Sequence, residues 1–130
     1  MPKYIVFFIA LFWTGIILYF CLVDSKDIPA IQIANLDKYV HTFFHFVFTF
    51  IWFLFFKKQL QCNNTIKPLV YSFLFSFVFG ICIEFLQEIV TTTRHGDVLD
   101  VLANLTGATL AFFTVVICDK LNLFNSVLKN

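Results

Sequence analysis

The chain has 130 residues, enough for one compact unit. It is 60% hydrophobic and 20% aromatic, with 20 phenylalanines and a mean hydropathy of +0.87, which excludes an ordinary soluble domain and indicates a membrane protein. A formal charge of +1, without a basic stripe interleaved with aromatics, excludes nucleic acid as an expected partner.

The first apolar run, from Tyr4 to Val23, is about 30 Å long as a helix. That exceeds a secretory h-region, and no small-x-small cleavage pattern follows it, so it is expected to remain as a span. Further runs cover residues 38–56, 69–90 and 98–118, the last two broken by polar residues only at the ends that face each other. Backbone groups have no water partners in lipid, and runs of this length without two-residue alternation exclude a barrel. The predicted fold is therefore an all-α integral membrane protein, a bundle of four transmembrane helices in a single domain over 1–130. The connections are residues 24–37 with Pro29, 57–68 with two lysines and Asn63-Asn64, and 91–97 with Gly96. Cys21, Cys62, Cys82 and Cys118 show no C-x-x-C spacing and read as small hydrophobes rather than a disulfide or zinc framework.

Cation placement predicts orientation. With the N-terminus inside, Lys3, Lys57, Lys58, Lys67, Lys120 and Lys129 are cytoplasmic, against Lys26, Lys38 and Arg94 outside. Both termini are then cytoplasmic, and the acids Asp24, Asp27, Asp37, Glu84, Glu88, Asp97 and Asp100 gather at the outer end.

Three segments carry polar stripes there. Asp37, His41 and His45 are spaced by four on the second; Glu84, Gln87 and Glu88 share one face of the third; Asp97, Asp100, Asn104 and Gly107 share a sector of the fourth. Charge held against lipid is costly, so the stripes should face one another. Glu84, about 9 Å inside its helix end, needs a partner or a proton. A bidentate pair from Arg94 to Glu84 or Asp100 would supply one, if the loop before Gly96 folds back. Asp97 also suits the N-cap of the fourth helix. Ala103, Gly107 and Ala111, four residues apart, read as a close helix contact. His95 reads as a solvated turn residue. The His41-x-x-x-His45 pair lacks the H-E-x-x-H glutamate, and no metal or cofactor is expected from it.

The order D-K-x-x-H (Asp37, Lys38, His41), G-I-x-I-E-x-x-Q (Gly80, Ile81, Ile83, Glu84, Gln87) and R-x-x-D-x-x-D-x-x-x-N-x-x-G (Arg94, Asp97, Asp100, Asn104, Gly107) resembles the VanZ-like membrane proteins. The resemblance runs from Asp37 to Ala111, with the first helix as an extra span. Ala111 stands where the motif often has Gly, and His45 where an aromatic is expected. The family takes its name from a protein associated with low-level resistance to the glycopeptide teicoplanin. The abundance of Phe, Ile, Lys and Asn points to an AT-rich bacterial genome, and the expected location is the bacterial cell membrane.

The leading expectation is an outer polar pocket for the head group of a cell-envelope lipid, a lipid-linked precursor or a glycopeptide. Arg94 and Lys38 would meet phosphate or carboxylate, with Asp37, His41, Glu84, Gln87, Asp97, Asp100 and Asn104 around them. The alternatives are a hydrolase with His41 as base and Glu84 or Asp100 setting its tautomer, without an accompanying nucleophile motif; a transporter; and a structural bundle whose polar network fixes register.

Overall fold

The computed structural model describes residues 1–24, 33–61 and 63–124. The readings of Lys26, Asp27, Pro29, Cys62 and Lys129 fall outside these residues. Four helices follow in chain order: α1 Lys3–Leu22, α2 Leu36–Leu60, α3 Ile66–Val90 and α4 Val98–Lys120. All four are long and apolar enough to cross a membrane, and there is no strand among the described residues.

Surface and interior are divided as lipid demands. Large apolar side chains point outward, with Phe8 66% and Phe12 72% exposed, while polar side chains including His41, His45, Ser72, Ser76, Asp100 and Asn104 are buried. In water such a surface would be an association patch along the whole bundle. In a bilayer it is the solvated face, and the interior gains from polar groups that find partners between helices.

The helices alternate in direction. Phe7 near the start of α1 packs on Phe55 near the end of α2, and Phe20 near the end of α1 packs on Phe44. Phe124, after α4, returns to Phe53. The start of α1 and the end of α4 therefore lie at one end of the bundle. There Lys57 donates to the Thr65 hydroxyl at 2.8 Å, and that hydroxyl donates to Asp119 at 2.7 Å, joining the α2–α3 turn to the end of α4.

α4 packs backbone to backbone on α2. A Cβ on Gly107 would overlap the Thr42 carbonyl and reach 2.9 Å from the Phe46 nitrogen. Ala111 is fully buried along the same line, and the Thr42 hydroxyl donates to the Ala103 carbonyl at 3.2 Å. The expected small-residue contact thus has α2 as its partner. At the centre, Phe48 and Phe79 stack in parallel at 4.7 Å, and the Trp13 indole donates to the Phe44 carbonyl, fixing α1 against α2.

Helix limits differ from expectation at the polar ends. α2 continues through Lys57 and Lys58 to Leu60, and α3 begins at Ile66 rather than 69. Lysine stems extend apolar helices while their heads reach water. Pro68 is tolerated because it falls in the first turn of α3, where its missing N–H would have no partner within the helix.

Candidate functional site

At the end opposite the start of α1, α2, α3 and α4 bring their polar stripes together. Lys38, in the first turn of α2, donates to Asp97 at 2.7 Å and to Asp100. Asp97 is the N-cap of α4, its carboxylate accepting from the Leu99 N–H at 2.8 Å, so one side chain both starts the helix and holds the lysine. The Lys38 ammonium, then the Leu99 N–H, hold the Asp97 carboxyl below the usual carboxylate range.

His41, one turn deeper on α2, is 2% exposed. Its Nδ1 lies 3.0 Å from Asn104 Oδ1, and its Nε2 lies 3.6 Å from Asp37 Oδ1 and 3.7 Å from Asp100 Oδ2. Glu84 Oε2 accepts from the Asp97 N–H at 3.2 Å, while its buried Oε1 has no hydrogen-bond partner and lies 3.7 Å from His41 Nδ1. Gly80 on α3 makes room for this arrangement: a Cβ there would come 3.0 Å from Asn104 Nδ2 and 3.1 Å from His45 Cε1.

The loop after α3 folds back on the bundle, as the pairing argument required, but Arg94 takes different partners. Its Nη2 donates to Asp37 at 3.0 Å and its Nη1 to the Phe20 carbonyl at 2.9 Å. The expected pairing with Glu84 or Asp100 is not formed. The last carbonyls of α1 lack intrahelical donors and carry the negative end of the helix dipole, so they attract the guanidinium. Asp100 is held by Lys38, and Glu84 accepts a backbone N–H through Oε2 alone. The loop is tied down by the Gly96 N–H donating to Glu88 at 2.8 Å and by Thr91 donating to the Arg94 carbonyl at 2.9 Å.

Eight of the nine sequence-selected residues join this network: Asp37, Lys38, His41, Glu84, Arg94, Asp97, Asp100 and Asn104. Gln87 turns the other way, its Nε2 donating to the Cys21 carbonyl at 2.7 Å, and anchors α1. His45 continues the α2 stripe but pairs with Ser76 of α3 at 2.8 Å, away from the acids. His95 is solvated as expected, its side chain 81% exposed.

Sequence reasoning missed the role of α1. Asp24, just past α1, accepts from the Thr92 N–H and the Thr93 hydroxyl, each at 3.1 Å. The Thr92 backbone bond, then the Thr93 hydroxyl, hold its carboxyl below the ordinary range. With Phe20 and Cys21, α1 also walls a cavity of about 490 Å³ whose other sides include Asp37, His41, Phe44 and Arg94. The only sequence signal for this was the position of Asp24 among the outer acids.

A model of the family described as VanZ/LLP1 matches residues 4–119, nearly the whole chain. The chain belongs to the VanZ/LLP1 family. With its four membrane-length helices it is a multi-pass membrane protein of that family. No curated protein and no solved structure matches it. The match takes in α1, so α1 is part of the VanZ/LLP1 domain rather than an added span. The three motifs behind the resemblance converge in space: D-K-x-x-H and R-x-x-D-x-x-D-x-x-x-N form the ionic network, and the glutamate of G-I-x-I-E-x-x-Q closes it from α3. The glutamine of that last motif binds α1 instead.

Proposed function

We propose that this VanZ/LLP1 protein binds the head group of an amphiphilic cell-envelope lipid or lipid-linked precursor, in the outer leaflet of a bacterial cell membrane. One observation carries this reading. The cavity beside Arg94 and His41, which has Asp37 and Asn35 among its walls, shares Phe20, Val40 and Phe44 with an apolar groove that Tyr39 and Phe43 complete. A head group in the cavity would leave its chain along a groove that opens toward lipid, the shape an amphiphile needs. Of the two cations expected to meet the ligand, Arg94 lines the cavity; Lys38 is committed to Asp97 and Asp100 and acts by holding them.

The test is labelling with a photoactivatable phospholipid or polyprenyl phosphate in native membranes. Arg94→Met and Val40→Trp, which remove the cation and fill the groove, should each abolish specific labelling while the protein accumulates normally. Unchanged labelling in both variants would sink the proposal. A strain that depends on the protein supplies a second readout, glycopeptide sensitivity. For orientation, a cysteine at exposed position 95 should react with an impermeant maleimide in intact cells, and reaction only after lysis would place the site on the cytoplasmic side. Position 95 is the better choice because a side chain at Gly96 would press on the Glu84 carbonyl.

A hydrolytic reading uses the same cavity. His41 faces it with Nε2 free of hydrogen bonds, as a general base would. Turnover of a lipid-linked phosphate by purified protein, lost in His41→Gln, would establish it.

A further inference from the structure

We infer that Asp37, His41 and Asp100 form a binding site for a divalent metal ion in the wall of this cavity. The argument begins with the imidazole. Asn104 Oδ1, an acceptor, lies 3.0 Å from His41 Nδ1; the hydrogen bond is made in the tautomer that carries its proton on Nδ1, and that tautomer leaves Nε2 with a bare lone pair. That lone pair belongs to a side chain 2% exposed, and it makes no hydrogen bond. It is flanked by Asp37 Oδ1 at 3.6 Å and Asp100 Oδ2 at 3.7 Å, too far apart to be bonded to each other and all acceptors.

Three acceptor atoms thus face one another, and Asp37 Oδ1 also accepts from Arg94 Nη2 at 3.0 Å, which leaves that oxygen one further lone pair. Their donor atoms lie within 4.8 Å of one another. Bonds of about 2.1 Å to one ion would place such ligands roughly 3.4 Å apart in a tetrahedral shell, close to the separations from Nε2. The surroundings resemble the outer shell of a metal site. Asn104 orients the imidazole, Lys38 holds the far oxygen of Asp100, and Arg94 steadies Asp37.

Charge points the same way. Among the described residues, four carboxylates, those of Asp37, Glu84, Asp97 and Asp100, face two permanent cations, Lys38 and Arg94, and the buried Glu84 Oε1 has no hydrogen-bond partner. An anion alone would worsen that excess, whereas a divalent ion offsets it. One imidazole and two carboxylates select a borderline or hard ion such as Zn²⁺ or Mn²⁺ over soft Cu⁺. The H-x-x-x-H pair is not the site, since His45 is bonded to Ser76 on another helix face. Because Asp37 and His41 line the cavity, the remaining coordination positions open into it. There a phosphate oxygen of the bound head group completes the shell, a step that rests on the amphiphile reading above.

The experiment uses full-length protein in detergent micelles, stripped with EDTA and titrated with Mn²⁺ alone. Electron paramagnetic resonance counts bound ions, and electron spin-echo modulation detects a coordinated imidazole nitrogen. One Mn²⁺ per chain with nitrogen modulation is expected. Asp37→Asn and His41→Gln should weaken binding by roughly tenfold or more, and the His41 variant should lose the modulation; His45→Gln should leave both signals intact. Asp37 is half-exposed, so its variant remains informative if a buried substitution unfolds the bundle. Thermal unfolding of each variant checks this. No saturable binding up to about 1 mM Mn²⁺, equal affinity in Asp37→Asn, or binding without nitrogen modulation would each overturn the site. No lipid is present, so such failure leaves the amphiphile reading standing. In a second arm, EDTA should abolish photolabelling by the lipid phosphate; labelling that survives it overturns the bridging step.

Discussion

Gly107→Ala tests whether direct backbone contact between α2 and α4 sets the geometry of the site. In an isolated helix this change would be favourable by about 1 kcal/mol, because alanine has the higher helix propensity. Here the new methyl overlaps the Thr42 carbonyl and approaches the Phe46 nitrogen at 2.9 Å, whereas heavy atoms pack comfortably at about 3.5 Å. Neither neighbour is a flexible side chain; both are α2 backbone, so the helices must part or rotate. Overpacking costs about 1–3 kcal/mol, and overlap with a backbone oxygen belongs in the upper part of that range, about 2–3 kcal/mol; the propensity gain of about 1 kcal/mol set against it leaves a net destabilisation of about 1–2 kcal/mol. Asp100 and Asn104 lie seven and three residues away on the same face of α4, so their contacts with Lys38 and His41 should loosen as well. The assay is reversible unfolding in mixed micelles, with Thr106→Ala on the exposed face as control. If Gly107→Ala were as stable as the parent or more so, the close α2–α4 packing would be refuted.

Lys38→Met leaves Asp100, 4% exposed, without its counter-ion and should destabilise by about 3 kcal/mol in the same assay, whereas Lys67→Met at an exposed position should change little. Gln87→Leu removes the bond to the Cys21 carbonyl and should cost about 1–2 kcal/mol, with faster proteolysis near residue 24 as α1 loosens. His45→Phe with Ser76→Ala replaces a buried polar pair by apolar groups; stability within about 1 kcal/mol of the parent and undiminished lipid labelling are expected, and lost labelling would place His45 in the site. Asp24 binds fewer protons in the folded state because its carboxyl is held below the ordinary value of 3.8. Its contribution is therefore present above that value and lost as pH falls through the lower folded value. Thermal unfolding from about pH 5 to about pH 2 should show a component that Asp24→Asn abolishes.

Sequence spacing was enough to find the spans and the stripes, because both rest on helical periodicity and the cost of polar groups in lipid. The Asp37–His41, Glu84 and Asp97–Asp100–Asn104 stripes do converge. Periodicity fixes a residue's angle on its own helix but not which neighbour lies opposite at that depth. His45 continues the stripe of His41 by four residues, yet one turn deeper α3 supplies the facing group, Ser76, in place of Asn104 of α4. Arg94 failed for another reason. A loop residue has no periodic signal, and its strongest acceptors were backbone carbonyls at the end of α1, which no pattern of side chains reveals.

A network that only fixed helix register would be expected to close on itself, with each donor matched to an acceptor and charges balanced. The far end of this bundle has that character, Lys57, Thr65 and Asp119 forming a chain of matched partners. The site end does not. Among the described residues, Glu84 Oε1 and Asn104 Nδ2 are buried without hydrogen-bond partners, His41 Nε2 faces two carboxylates, and the acids of the network outnumber its permanent cations two to one. Unpaired groups at this depth each cost on the order of 1–3 kcal/mol, more when charged, and a ligand of the kind proposed above would offset part of that cost. The same protein thus supplies its own comparison: at one end Lys57, Thr65 and Asp119 match one another, and at the other the unmatched Glu84 and Asn104 lie against His41, which lines the cavity.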